Sequence, residues 1–308
     1  MSNESTLKPG RRFLHVCYCC DDASAVTDFF VNGFVMRNTM RTPTEPSDGA
    51  LLGMDGEITA SASFVYDARG PRVSPAIEVQ DWVVPKVEGV PSTDPFEVGI
   101  KALGFAVPNL DVAIDRLIGL GCTVVHRGVS PFAESMATLL DPTGVLLELV
   151  ADDAAPPDAS RLRHLRITVT DVDASLPFYD TLGFTVIEDA AFTDAAFTGH
   201  DGVVEARYVR LRLPDEPFEV QLIQWITPAS HGRHYSLPNH AGIYRVAVGV
   251  DDTRVAHDTL TAAGVVFDRP PLLVELKGTP VPDMWICFLS DPDGVPYEFV
   301  QRPRTAFK

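Results

Sequence analysis

The sequence predicts an α+β protein built from four βαβββ modules, and three observations support that prediction. The segment DPTGVLLELV, which begins at Asp141, recurs as DPDGVPYEFV 150 residues later, with a glutamate at the same place in each copy. His15 and His164, which open two predicted strands, are 149 residues apart. Four predicted helices each end at a glycine, the usual residue after a helix C-terminus. A repeat at half the length of a 308-residue chain indicates an internal duplication.

The first half of the chain contains two predicted modules, and each begins with an apolar strand followed by a helix. Module one has a strand at 15–20, a helix at about 24–32, the helix stop Gly33 and a last strand through 77–79. Module two has a strand at 102–107, a helix from Asn109 or Asp111 to 120, the stop Gly121 and a last strand at 145–150.

The second half repeats this order. Module three has a strand at 164–169, a helix capped by Asp171 or Asp173, the stop Gly183 and strands at 184–188, 205–213 and 218–225. Module four has a strand at 244–250, a helix at about 253–263, the stop Gly264 and a last strand at 296–300. The third helix shows the pattern best, because Ala174, Phe178 and Leu182 recur at the spacing of one helix face.

Composition narrows the classes of partner. A formal net charge of −17 argues against nucleic acid and against an anionic membrane surface, since both attract basic proteins. No apolar run approaches the roughly 20 residues that a membrane-spanning helix needs. The five cysteines show no disulfide or zinc-binding spacing. We therefore expect a cytoplasmic protein that binds a small molecule; homo-oligomer formation stays open.

The four modules, the strands ending in E-[LF]-V and the helix ending in LGF at 182–184 resemble the vicinal oxygen chelate superfamily. That superfamily includes glyoxalase I, methylmalonyl-CoA epimerase, extradiol dioxygenases and the bleomycin and fosfomycin resistance proteins. The resemblance covers about residues 12–302 and implies two glyoxalase-like domains with mixed, curled sheets. The domains would be 11–150, with modules 11–85 and 99–150, and 161–303, with modules 161–227 and 241–303, joined by the linker ADDAAPPDAS.

The resemblance also implies metal ligands at the start of the first strand and the middle of the last strand of each module. The corresponding pairs are His15 and Glu78, Ala102 and Glu148, His164 and Gln221, and Tyr244 and Glu298. The preferred set is His164, Gln221 and Glu298, and a second set is His15, Glu78 and Glu148. These sets assume that modules pair within each half. If modules two and three pair instead, the set becomes Glu148, His164 and Gln221.

Imidazole with carboxylate or amide oxygens suits divalent Fe, Mn, Zn, Ni or Co, and the sequence does not distinguish among them. The resemblance therefore implies a metal-dependent isomerase, epimerase or lyase that chelates a small carbonyl or acyl compound and stabilises an enolate. Glu298 would serve as general base if it releases the metal, and Tyr244 would donate to the oxyanion. A ring-cleaving extradiol dioxygenase on a catecholic substrate is the alternative, although Tyr244 replaces its second histidine. A non-catalytic small-molecule binding protein is the third hypothesis.

Overall fold

The computed structural model describes residues 8–155, 159–303 and 306–307, and within them each module has the predicted βαβββ order. The elements of module one are β1 Gly10–Cys19, α1 Ala23–Phe34, β2 Arg37–Arg41, an additional short strand β3 Glu45–Asp48, β4 Glu57–Tyr66 and β5 Ala76–Val84. The elements of module two are β6 Gly99–Val107, α2 Leu110–Gly119, β7 Thr123–Val129, β8 Ser135–Leu140 and β9 Leu146–Ala151.

The second half has the same succession of elements. Module three contains β10 Arg161–Val169, α3 Val172–Leu182, β11 Thr185–Asp194, β12 Val203–Arg212 and β13 Glu219–Thr227. Module four contains β14 Gly242–Val250, α4 Thr253–Ala262, β15 Arg269–Glu275, β16 Asp283–Ser290 and β17 Pro296–Gln301. The predicted α+β class is therefore confirmed.

Local chemistry explains how the helices begin and end. The Asp171 carboxylate accepts hydrogen bonds from the first backbone N–H groups of α3, and Gly183 ends that helix with a left-handed φ of 106°. The predicted stop at Gly33 is wrong by two residues. Helix α1 continues to Phe34, and Val35 takes the left-handed conformation in place of a glycine.

The strands form two sheets, and each sheet combines one module from each half of the chain. Modules one and four share a nine-stranded sheet of order β15-β16-β17-β14-β1-β5-β4-β2, with β3 paired to β4. Modules two and three share an eight-stranded sheet of order β11-β12-β13-β10-β6-β9-β8-β7. The expected pairing within each half is wrong, because the antiparallel central contacts are β1 with β14 and β6 with β10. The alternative pairing of modules two and three is the one that the structure contains.

The main core lies between the two sheets and contains the helices. Phe34 of α1 stacks on Phe105 of β6 with ring centroids 3.8 Å apart, and Phe13 stacks on Phe218 at 4.1 Å. Each pair joins a module of one sheet to a module of the other, so a single apolar core fixes the two sheets relative to each other. No helix of the described residues combines the length and apolar character needed to cross a membrane.

Candidate functional site

Strand register locates the expected ligand positions. Each expected last-strand ligand pairs with a first-strand residue in a parallel ladder. Glu78 pairs with Cys17, Glu148 with Gly104, Gln221 with Arg166, and Glu298 with Ala247. In modules one to three, that partner lies two residues after the expected first-strand ligand. The same offset in module four leads to residue 245. Arg245, rather than Tyr244, therefore occupies the fourth ligand position. The β1–β14 register shifts beside Tyr244 and Arg245, and both residues line the same cavity.

The first centre, formed by modules one and four, brings together His15, Glu78, Glu298 and Arg245. The Nε2 atom of His15 lies 3.3 Å from Glu78 Oε2 and 3.4 Å from Glu298 Oε2. Arg245 Nη2 donates to both Glu78 oxygens at 3.2 Å, and Arg245 Nε donates to Glu298 Oε2 at 3.2 Å. All four side chains are buried. One imidazole and two carboxylates thus converge, with a guanidinium beside them.

Electrostatics keep the carboxylate of Glu298 ionised. Burial alone would raise the pKa of Glu298, but Arg245 and the hydrogen-bonded His15 outweigh burial and lower it. The two glutamates in turn raise the pKa of Arg245 despite its burial. The first centre is therefore a set of mutually compensating charges that is anionic when His15 is neutral.

The second centre, formed by modules two and three, contains Glu148, His164 and Gln221. His164 Nε2 lies 2.7 Å from Glu148 Oε2, and Arg166 Nε donates to Glu148 Oε1 at 2.6 Å. Gln221 Oε1 accepts a hydrogen bond from Tyr208 at 2.5 Å. Burial tends to raise the pKa of Glu148, but Arg166 and the His164 hydrogen bond lower it to about 2. Both oxygens of this carboxylate thus already have close partners inside the protein.

Each centre has a guanidinium at or beside the expected fourth ligand. In the first centre this residue is Arg245 itself. In the second centre Ala102 has no ligating atom, and Arg166 pairs with Ala102 across the β10–β6 ladder. Sequence reasoning missed both arginines. Arg245 is identified by the register of β14 against β17, and the Arg166–Ala102 pairing depends on which modules share a sheet.

The ligand sets predicted from pairing within each half are therefore divided between the two centres in a different way. His164 and Gln221 lie in the second centre with Glu148, and Glu298 lies in the first centre with His15 and Glu78. The preferred set of His164, Gln221 and Glu298 is not brought together. The alternative set, Glu148, His164 and Gln221, lies together in the second centre.

The volume of the cavity beside each centre differs greatly. A cavity of about 310 Å³ is lined by Arg245 and Tyr244 at the first centre. At the second centre the cavity is about 10 Å³, and Phe132, Phe197 and Tyr208 fill its walls. That is about the volume that one water molecule needs, so only the first centre has room for an organic substrate.

The spacing of the donor atoms decides which centre can hold a divalent cation. Ligands arranged tetrahedrally around an ion with bonds of about 2.1 Å lie about 3.4 Å apart. The distances from His15 Nε2 to Glu78 Oε2 and to Glu298 Oε2, 3.3 and 3.4 Å, match this spacing, so the donor types and these two distances suit a metal. No three His, Cys, Asp or Glu side chains of the described residues form a preassembled metal cluster, and at the first centre Arg245 holds both carboxylates. The second centre does not fit, because its carboxylate is directly hydrogen-bonded and its cavity is small.

Comparison with known proteins agrees with this architecture. Residues 161–299 match the family model described as the Glyoxalase/Bleomycin resistance protein/Dioxygenase superfamily. Glyoxalase I from Zea mays has a similar fold, with a TM-score of 0.68 at 18% identity over 96% of this chain and 93% of the maize chain. The second half of the chain therefore matches this superfamily, in agreement with the resemblance found from sequence.

Two relatives are similar in sequence. The lactoylglutathione lyase of Schizosaccharomyces pombe is 26% identical over 212 residues, which cover 66% of this chain and 67% of that protein. The probable lactoylglutathione lyase of Vibrio cholerae is 26% identical over 147 residues, which cover 46% of this chain and 90% of that protein. Both relatives are named as enzymes, and members of the superfamily that residues 161–299 match generally use a divalent metal.

Proposed function

We propose that this protein is a divalent-metal-dependent isomerase or lyase of the glyoxalase type, that its substrate is a small carbonyl compound, and that the first centre is its active site. The observation that carries this proposal is the convergence of His15, Glu78 and Glu298 next to Arg245, which lines a cavity of about 310 Å³. The similarity to two lactoylglutathione lyases supports the same reaction class. The fold alone would not, because one fold hosts many reactions.

The residues of the first centre have separable roles in this proposal. His15, Glu78 and Glu298 would hold the metal, which supplies electrostatic stabilisation of negative charge on a substrate oxygen. Glu298, which is ionised in the centre, is the proposed proton acceptor once it releases the metal. Burial raises the pKa of Tyr244, so its phenol keeps its proton at neutral pH and can donate a hydrogen bond to a substrate oxygen in the cavity.

The donor sets favour this reaction class over ring cleavage. An extradiol iron site in this superfamily, as the resemblance implies it, combines two histidines with one glutamate. Each centre here contains one histidine. Oxygen uptake on catechols by the iron-loaded protein is the result that would favour the dioxygenase alternative.

Metal analysis of protein purified without chelators tests the proposal, with His15→Ala as the variant and His164→Ala as its matched control. We expect wild type and His164→Ala to retain metal and His15→Ala to lose most of it, because only the first centre fits the ion. Turnover of lactoylglutathione, measured on the same three proteins, should follow the metal content. Equal metal content in both variants would overturn the assignment of the active site.

A further inference from the structure

Arg245 directs an unused hydrogen-bond donor group into the interior of the protein. Its Nη2 and Nε atoms contact Glu78 and Glu298. Its Nη1 atom is buried and has no hydrogen-bond partner among the described residues. The side chain is only 7% exposed. A buried donor of a charged group is costly to leave unpaired, so the arrangement calls for an acceptor supplied from elsewhere.

The surroundings of Arg245 define what can reach it. Arg245 lines the cavity of about 310 Å³, where Arg269 provides a second guanidinium and Asp268 provides one carboxylate. Leu51 and Phe288 contribute apolar wall, and Tyr244 contributes a hydroxyl group. A cavity with an apolar wall and two guanidinium groups against one carboxylate suits a small molecule with an apolar body and an anionic end.

The charge of the loaded centre leads to the same class of ligand. Glu78 and Glu298 together carry two negative charges, and Arg245 carries one positive charge. A divalent cation bound by His15 and the two glutamates would leave the centre with a net charge of +1. One negative charge on the substrate would balance it, in a buried setting where Coulomb interactions are strong.

We propose that Arg245 is a substrate-binding residue and that the first centre takes a small organic acid whose carboxylate pairs with Arg245 Nη1. This inference rests on the proposed function and specifies its substrate class. Arg245 thereby acts in two ways, since it holds both glutamates through Nε and Nη2 and binds the substrate through Nη1.

Benzoate and benzamide provide a matched pair of probes, because they share shape and differ in charge. Titration calorimetry on wild type should show benzoate binding roughly tenfold or more tighter than benzamide, the effect of one charge-assisted hydrogen bond. Arg245→Met should lose that preference. Arg127→Met, which removes an exposed arginine paired with Asp111, should keep it. A preference for benzoate that survives in Arg245→Met, or that is absent from wild type, would overturn the proposal.

A second variant covers the case in which Arg245→Met unfolds because two buried carboxylates lose their partner. The double variant Arg245→Met/Glu78→Gln removes both ends of one ion pair and leaves the net charge unchanged. It should fold, as judged by circular dichroism, and it should show no preference for benzoate. Retained preference in this protein would contradict the role of Arg245.

The same titrations separate this inference from the proposed function. Wild-type protein that binds no metal but prefers benzoate through Arg245 would refute the metalloenzyme and keep the anion site. Protein that holds metal through His15 but binds benzoate and benzamide equally would keep the metalloenzyme and refute the anion site.

Discussion

At the residue scale, the position of His164 depends on the absence of a side chain at Gly104. A Cβ atom added at residue 104 would lie 2.0–2.3 Å from three atoms of the His164 ring. Real Cβ atoms essentially never approach so closely, so the imidazole packs on β6 at a position that has no Cβ. The second centre is thus a tightly packed structural unit as well as a set of polar groups.

Gly104→Ala tests this packing. We expect a loss of about 1–3 kcal/mol in the free energy of unfolding, because the imidazole must move within a buried site. Gly119→Ala in α2 is the matched control, since an added Cβ there meets no atom within 4 Å. The control should be neutral or stabilising by up to about 1 kcal/mol. Urea unfolding measures both changes, and equal stabilities of the two variants would contradict the packing argument.

Glu148→Gln tests the charge balance of the second centre. Glu148 is the carboxylate partner of the fully buried Arg166, so its loss leaves an uncompensated guanidinium and should destabilise the protein by about 3–5 kcal/mol. Glu188→Gln also removes a partner of an arginine, but Glu188 is 44% exposed, and the expected cost is about 0–1 kcal/mol.

The effect of Glu148→Gln should also depend on pH. The pKa of Glu148 is lowered from 4.5 to about 2 in the folded protein. Its carboxylate therefore contributes stability that is fully present above about pH 4.5 and is lost as the pH falls through about 2. The difference in unfolding free energy between wild type and variant should shrink over that interval. A constant difference would show that the ion pair is not its source.

At the element scale, the repeated D-P-x-G turns show why the motif that marks the duplication recurs. The carboxylates of Asp141 and Asp291 each accept two backbone N–H groups of their own turn. A tyrosine from another module also donates to each carboxylate, Tyr18 to Asp141 and Tyr179 to Asp291. The turns therefore orient the last strands of modules two and four and link them to the neighbouring sheet.

Asp291→Asn tests the electrostatic cost of one such turn. Burial is the largest influence on Asp291 and raises its pKa from 3.8 to about 7. The raised pKa contributes stability that is present below about pH 4 and is lost as the pH rises through 7. Over this interval, the free energy of unfolding of wild type should fall relative to that of Asp291→Asn by up to about 1.4 kcal/mol per pH unit. Asp201 is exposed, and the curve of unfolding free energy against pH for Asp201→Asn should run parallel to that of wild type. A parallel curve for Asp291→Asn would refute the argument.

The order of elements could be predicted from sequence because local signals determine it. Apolar periodicity, the Asp171 cap and Gly183 are all read within a few residues. Local signals do not identify which residue of β14 faces the site. Tyr244 and Arg245 are adjacent, and only the register of β14 against β17 shows that Arg245 occupies the ligand position. Such a register depends on contacts between distant segments.

At the scale of the whole molecule, module pairing could not be read from the duplication. A repeat reports that two halves are alike, and either arrangement buries the same apolar faces. The structure pairs β1 with β14 and β6 with β10, so each centre takes one histidine from one half and one repeated glutamate from the other. Glu298 thereby belongs with His15, and Glu148 belongs with His164.

A double-mutant cycle on cobalt(II) affinity tests this central claim most directly. His15→Ala and Glu298→Gln should be strongly coupled, so that the double variant loses at least about 1 kcal/mol less affinity than the sum of the single losses. His164→Ala and Glu298→Gln should be additive within about 0.5 kcal/mol, because they belong to different centres. Coupling between His164 and Glu298, with additivity between His15 and Glu298, would contradict both the pairing of the modules and the proposed metal centre.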